Sequence, residues 1–164
     1  MKPKFITENI DEDQTAFNIA KLVKRAIVNS TAAADEIAHQ FDSKYIDDVC
    51  RNIYNFCRSR MPYKKEGAKL QTSKELPVIM HNLDKKMFDC KHYATFAACI
   101  LHALDIPFKL KLISQNYYDK EPTHVYVIAY DNGVPIVVDP CISRFNDEAR
   151  YNYRYTVNNL YKKK

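Results

Sequence analysis

From Phe88 to Leu104 the chain runs without a glycine or a proline, and Pro107 is the first residue that cannot continue a helix. Tyr93, Phe96 and Ala97, Ile100 and Leu101, and Leu104 recur at helical spacing, so the stretch predicts a buried helix with one apolar face. Asp89 is suited to cap it, because its side-chain oxygen can accept from the unpaired N–H groups of the first turn. Cys90 then falls at the positive end of the helix dipole, where a thiol is favoured as the reactive thiolate. Lys85, Lys86 and Lys91 add positive charge nearby in sequence. The plain alternative is a buried structural cysteine, the usual state of a free Cys.

The elements around this helix follow from periodicity. Residues 1–12 read as irregular. Asp13 to about Val28 predicts a helix through Phe17, Ala20, Val23 or Lys24, and Ile27, broken at Asn29-Ser30-Thr31. Residues 32–40 predict a short helix. Residues 43–59 predict another, capped by Asp42 or Ser43, with Tyr45, Ile46, Val49, Ile53, Phe56 and Cys57 on its apolar side. It ends before Met61-Pro62, since the residue before a proline avoids the helical region. Residues 63–86 show no clean period and read as a long loop, a length that usually serves a function. It leads straight to Cys90, so lining a site is its natural use.

Beyond Pro107 the pattern changes to alternation. Residues 108–113 and 123–130 predict strands, Asp131-Asn132-Gly133 a turn, and residues 134–139 a third strand stopped by Pro140. The last two strands form a hairpin. Residues 141–164 are polar and Tyr-rich without strong period. The fold class expected is α+β, with N-terminal helices and a central helix carrying Cys90 packed on a small antiparallel sheet. One domain is expected over 1–164, with its core at about 43–147 and a polar C-terminal extension at 148–164.

Composition narrows the function classes. Two glycines in 164 residues exclude glycine-rich phosphate loops. Five cysteines, an odd number without framework spacing, read as reduced thiols. The charge of +5 owes much to Lys162-Lys163-Lys164, which reads as a solvated end, so no nucleic-acid partner is expected. No run reaches transmembrane length and the N-terminus lacks a signal-peptide pattern, so the expected location is cytoplasmic, with no membrane partner.

His124 stands at the start of the second strand and Asp139 at the end of the third, which the hairpin brings together. Cys90, His124 and Asp139 thus make a candidate set of nucleophile, base and orienting carboxylate. His92 is a rival base, but it lies on another face of the helix. His81 and His102 read as surface or loop residues. A zinc site is the competing chemistry. Cys90-x-His92 with Cys99 lacks a paired C-x-x-C, and Pro140-Cys141 lacks the second cysteine, position 144 being arginine. No metal and no cofactor are expected.

With these residues in view, the chain resembles the transglutaminase-like superfamily of papain-type thiol enzymes. Asp-Cys90-Lys-His-Tyr-Ala resembles its nucleophile box, Thr-His124-Val-Tyr-Val its histidine box and Val-Asp139-Pro its aspartate box. The likeness covers roughly residues 43–147 and is greatest to small bacterial and phage members, in which a Gln-containing loop precedes the Cys and a Phe-Asn-x-Glu stretch follows Asp-Pro. Here those are Gln71 and Phe145-Asn146-Asp147-Glu148. The resemblance implies a papain/transglutaminase-like core and acyl chemistry on a protein or peptide amide through a Cys90 thioester, with hydrolysis favoured over amine transfer. It also implies Gln71 as a side-chain oxyanion donor and Tyr126, where the family often has Trp, as a substrate-binding candidate. Phe88 stands where the family usually has Gly, two residues before the nucleophile, and a ring there would crowd the thiol or impose a different backbone. A phage-encoded member would also fit association with a virion. The alternative function is a non-catalytic interaction or structural protein on the same fold. Oligomeric state has no signature here.

Overall fold

The computed structural model describes residues 5–8, 14–65 and 74–159. The apolar stretch after Phe88 forms helix α5 (Cys90–Ala103). Phe96, Ile100 and Leu101 are fully buried in it, each contributing roughly 1.5–3 kcal/mol relative to exposure. Around it lie α1 (Gln14–Asn29), α2 (Thr31–Ile37) running into a 3₁₀ turn at Ala38–Gln40, and α3 (Ile46–Arg60). Phe41, Phe56 and Phe96 interlock where these helices meet, Phe56 stacked on Phe96 at 5.0 Å between ring centroids.

One antiparallel sheet completes the α+β fold. Its strands are β1 (Phe5–Glu8), β2 (Phe108–Ser114), β3 (His124–Asp131), β4 (Val134–Val138) and β5 (Tyr153–Asn159), in the order β1-β5-β2-β3-β4. Strand alternation divides the side chains into two cores. Leu110, Leu112, Val125, Val127, Ala129, Ile136 and Val138 join the helices on one face. Ile113, Tyr126, Ile128 and Val137 pack on the other, under Ala149 and Tyr151. Asn132 and Gly133 both have positive φ in the β3–β4 turn, as a tight hairpin requires.

Several expectations are corrected. Residues 5–8 form a strand, pairing with β5. The loop expected at 63–86 contains a short helix, α4 (Leu76–His81), started by Pro77 in its first turn. Residues 153–159 form a strand, inserted between β1 and β2. Neither Asp42 nor Ser43 caps α3; Tyr45 holds that position without a side-chain bond and is exposed, and the acidic Asp47 and Asp48 face the helix start instead. His102 is buried in α5. The side chain of Phe17, together with Gly67, Gln71 and Lys162–Lys164, lies outside the described residues. Among the described residues no helix is long and apolar enough to cross a membrane.

Candidate active site

Asp89 fixes the start of α5. Its carboxylate accepts the Lys91 backbone N–H at 3.0 Å, while His92 Nδ1 accepts the Asp89 backbone N–H at 2.9 Å, a reciprocal capping box. The Lys91 ammonium also pairs with Asp89, both groups buried. His92 is therefore committed to the helix start and is completely buried, which removes it as a rival base.

The segment before the helix is tied down from the other side. The Phe88 N–H donates to Pro62 O and the Lys64 N–H to Phe88 O, each at 2.7 Å, so Tyr63 and Phe88 form a parallel bridge. The Tyr93 hydroxyl donates to Met61 O at 2.6 Å. Phe88 points into the main core with 0% exposure. The bridge holds Phe88 in the core, and Cys90, packed against that core, remains partly exposed.

His124 begins β3, and Asp139 follows the last residue of β4. The register sets Val127 opposite Val138, so His124 and Asp139 lie on one face as diagonal neighbours. His124 Nε2 and Asp139 Oδ2 are 2.6 Å apart. Asp139 is also anchored by its own turn, where Oδ1 accepts the Cys141 N–H at 3.1 Å. Helix α3 holds that turn in place: Arg58 donates to Pro140 O at 2.9 Å, and the Tyr54 hydroxyl to Ile142 O.

The imidazole joins the two other candidates electrostatically. Burial alone pulls the His124 pKa down, but hydrogen bonds to Asp139 and to the Cys90 thiol, with the charges of both, push it up to about 10. With Nε2 committed to Asp139, Nδ1 is the ring nitrogen left for the thiol. Cys90, whose interaction with His124 raises the imidazole pKa, and Asp139, bonded to the imidazole Nε2, thus lie along one chain of groups beginning at a helix N-terminus. Such a chain can move a proton between sulfur and imidazole while the carboxylate holds the ring.

No protein-family profile matches this chain, and no curated protein does. Among solved structures it is similar to the crystal structure of a TGase, with 14% identity and a TM-score of 0.43 over 88% of this chain. The chain spans 36% of that protein's length. A likeness this remote leaves the reading of the site to its own geometry.

Tyr126 is brought to the site but below it. It is buried, its ring is stacked 5.5 Å from that of His124, and its hydroxyl donates to Glu148. Burial and the Glu148 carboxylate both raise the Tyr126 pKa. Lys111 pairs with the same carboxylate. Burial by itself would raise the Glu148 pKa, but hydrogen bonds from Lys111 and Tyr126 hold it below the usual range. This geometry gives Tyr126 a supporting position under the imidazole, with its hydroxyl already engaged.

Two further residues stand at the site that the sequence reading did not assign to it. The Cys141 thiol lies beside Asp139 and the Tyr63 hydroxyl; burial, then Asp139 and Cys90, raise its pKa. One donor atom each from His124, Asp139 and Cys141 lies within 4.8 Å of the others. Tyr63 is half exposed and stands beside Tyr93, their rings 5.9 Å apart. The available signal for Cys141 was its place two residues after Asp139; the signal for Tyr63 was the stretch Met61-Pro62-Tyr63-Lys64, which resembles the family's approach to the site.

Proposed function

We propose that this protein carries out thiol-dependent acyl chemistry on a peptide or glutamine-type amide, with Cys90 as nucleophile, His124 as base and acid, and Asp139 as the group that orients His124. The observation that carries this reading is the chain from the Cys90 thiol through the His124 imidazole to Asp139. The Cys90 sulfur adds to the amide carbonyl carbon. His124 gives a proton to the departing nitrogen as the C–N bond breaks, leaving a thioester. Water, deprotonated by His124, adds to the thioester carbon and releases the acid and the free thiol. The first backbone N–H groups of α5 lack helical acceptors, so that of Cys90 is a natural donor to the oxyanion. Gln71 is proposed as a second donor, from the resemblance alone.

Hydrolysis is favoured over transfer to an amine. Cys90 is partly exposed, and water at bulk concentration is the default acceptor unless a site excludes it. The test is a competition on glutamine- and peptide-amide substrates with a labelled primary amine at millimolar level. Free acid or cleaved peptide with little label supports hydrolysis. Incorporation that depends on Cys90 would reassign the protein to amine transfer. If neither product forms across a broad panel while Cys90 still alkylates, the binding-protein alternative prevails.

A further inference from the structure

Cys141 has no part in the acyl chemistry above, yet its thiol shares a small volume with the His124 imidazole and the Asp139 carboxylate. One donor atom from each lies within 4.8 Å of the other two. A nitrogen, an oxygen and a sulfur are the donor types that zinc takes, at about 2.0–2.3 Å each, which sets neighbouring donors about 3.3–3.6 Å apart in a tetrahedron. The 2.6 Å separation of His124 Nε2 and Asp139 Oδ2 would have to open by less than an ångström, and the widest separation, within 4.8 Å, would have to close by a side-chain rotation. Cys141 and His124 are both partly exposed, while Asp139 is buried. The turn that bears Cys141 is pinned by Arg58 and Tyr54, so two of the three donors, Asp139 and Cys141, are already held in place.

We propose that His124, Asp139 and Cys141 form a three-ligand site for a thiophilic divalent cation, zinc being the type, with water in the fourth position. On binding, the Cys141 proton and the proton shared between His124 Nε2 and Asp139 leave to solvent, and the cation takes their place. The metal then occupies the edge of the imidazole through which Asp139 orients it. The site acts as a reversible brake on the Cys90 chemistry. That consequence rests on the acyl-transfer reading; binding of the cation does not.

The experiment titrates the metal-free full chain with cobalt(II), then displaces it with zinc. The expected result is one cobalt per chain, with tetrahedral ligand-field bands and a thiolate-to-cobalt charge-transfer band, all removed by zinc. Cys141→Ser should lose the charge-transfer band and weaken zinc binding by at least about tenfold. Cys90→Ser should keep the band. In the wild type, zinc should protect Cys141 from exhaustive alkylation with prolonged exposure to excess reagent, which labels even slow thiols, read residue by residue by mass spectrometry. This last measurement decides even where Cys141→Ser does not fold. Absence of the band in the wild type, its survival in Cys141→Ser, its loss in Cys90→Ser, or no zinc protection of Cys141 would each overturn the site. If the protein turns over an amide, zinc should suppress turnover and a chelator restore it. A protein that binds zinc here but turns over nothing would retain the site and lose the acyl-transfer reading.

Discussion

His92 and Asp89 hold each other across the first turn of α5, the imidazole accepting the Asp89 backbone N–H at 2.9 Å while the Asp89 carboxylate caps the turn in return. The same carboxylate neutralises the buried Lys91 ammonium. Cys90 sits between these residues in sequence, so the orientation of its thiol depends on a buried charge pair as well as on helix propensity.

Asp89→Ala should therefore cost more than an ordinary cap. A lost N-cap is worth about 1 kcal/mol, and the buried Lys91 ammonium loses its ion pair with Asp89 as well. Denaturant unfolding should show a loss above that of a cap alone, and a loss of about 1 kcal/mol or less would mean that the Lys91 pair adds nothing to the cap. Asp89→Asn keeps an acceptor for the Lys91 N–H and should fall between wild type and Asp89→Ala.

Cys90 should be the most reactive of the five thiols near neutral pH. Burial pushes the pKa of Cys50 and of Cys99 up to about 12 and raises those of Cys57 and Cys141, so these four stay protonated. Limited alkylation with mapping by mass spectrometry checks this, and preferential labelling of any of the other four would contradict it. His124→Ala should slow labelling of Cys90 while unfolding stays cooperative.

Asp139→Asn should leave the fold nearly intact, because the amide oxygen can still accept the Cys141 N–H. Any amide turnover should fall by orders of magnitude, since the wrong imidazole tautomer in a related triad costs about 10⁴ in rate. Turnover that survived this change but vanished with a chelator would favour a metal-dependent reaction instead.

The pairing of His124 also predicts a pH dependence of stability. A histidine whose pKa is raised to about 10 on folding, from an ordinary value of 6.5, binds its proton more tightly in the folded state. Its stabilisation is complete below pH 6.5 and is lost as pH rises through 10. The stability advantage of the wild type over His124→Gln should therefore shrink between those limits in pH-resolved denaturation. An advantage that stayed flat or grew would show that His124 is not held as an imidazolium.

Tyr126→Phe separates a supporting ring from an oxyanion donor. The stack on His124 survives, and one hydrogen bond to Glu148 is lost, a cost of about 1.5–3 kcal/mol for a bond to a charged group. Turnover should stay within about tenfold of wild type, whereas removing a true oxyanion donor costs about 10²–10³. Steady-state kinetics beside thermal melts distinguish the two.

What was legible in the sequence were the elements with one dominant period. The helix of Cys90, the strands of His124 and Asp139 and the turn at Asn132-Gly133 were all visible, because each buries a regular apolar face or needs a special backbone residue. The meeting of His124 with Asp139 followed from the hairpin. Strand β5 was hidden because only Tyr155 and Val157 are buried among its described side chains, so its alternation is carried by polar residues. Helix α4 was hidden by its brevity and by Pro77. Cys141 was weighed only as the start of a zinc motif, because its place beside Asp139 and His124 comes from a turn held by α3, a relation that no local pattern encodes.

The place of β5 between β1 and β2 has a consequence for how the molecule is made. Residues 5–8 find their partner strand only in residues 156–159, and β2 has one of its two ladders empty until the same strand arrives. While a ribosome is still delivering the chain, the hairpin and the helices can assemble, but β2 is left as a bare edge, open to pairing with a neighbouring nascent chain. A stop codon before Tyr153 would make that exposure permanent and should yield an aggregating product, although Cys90, His124 and Asp139 would all have been synthesised.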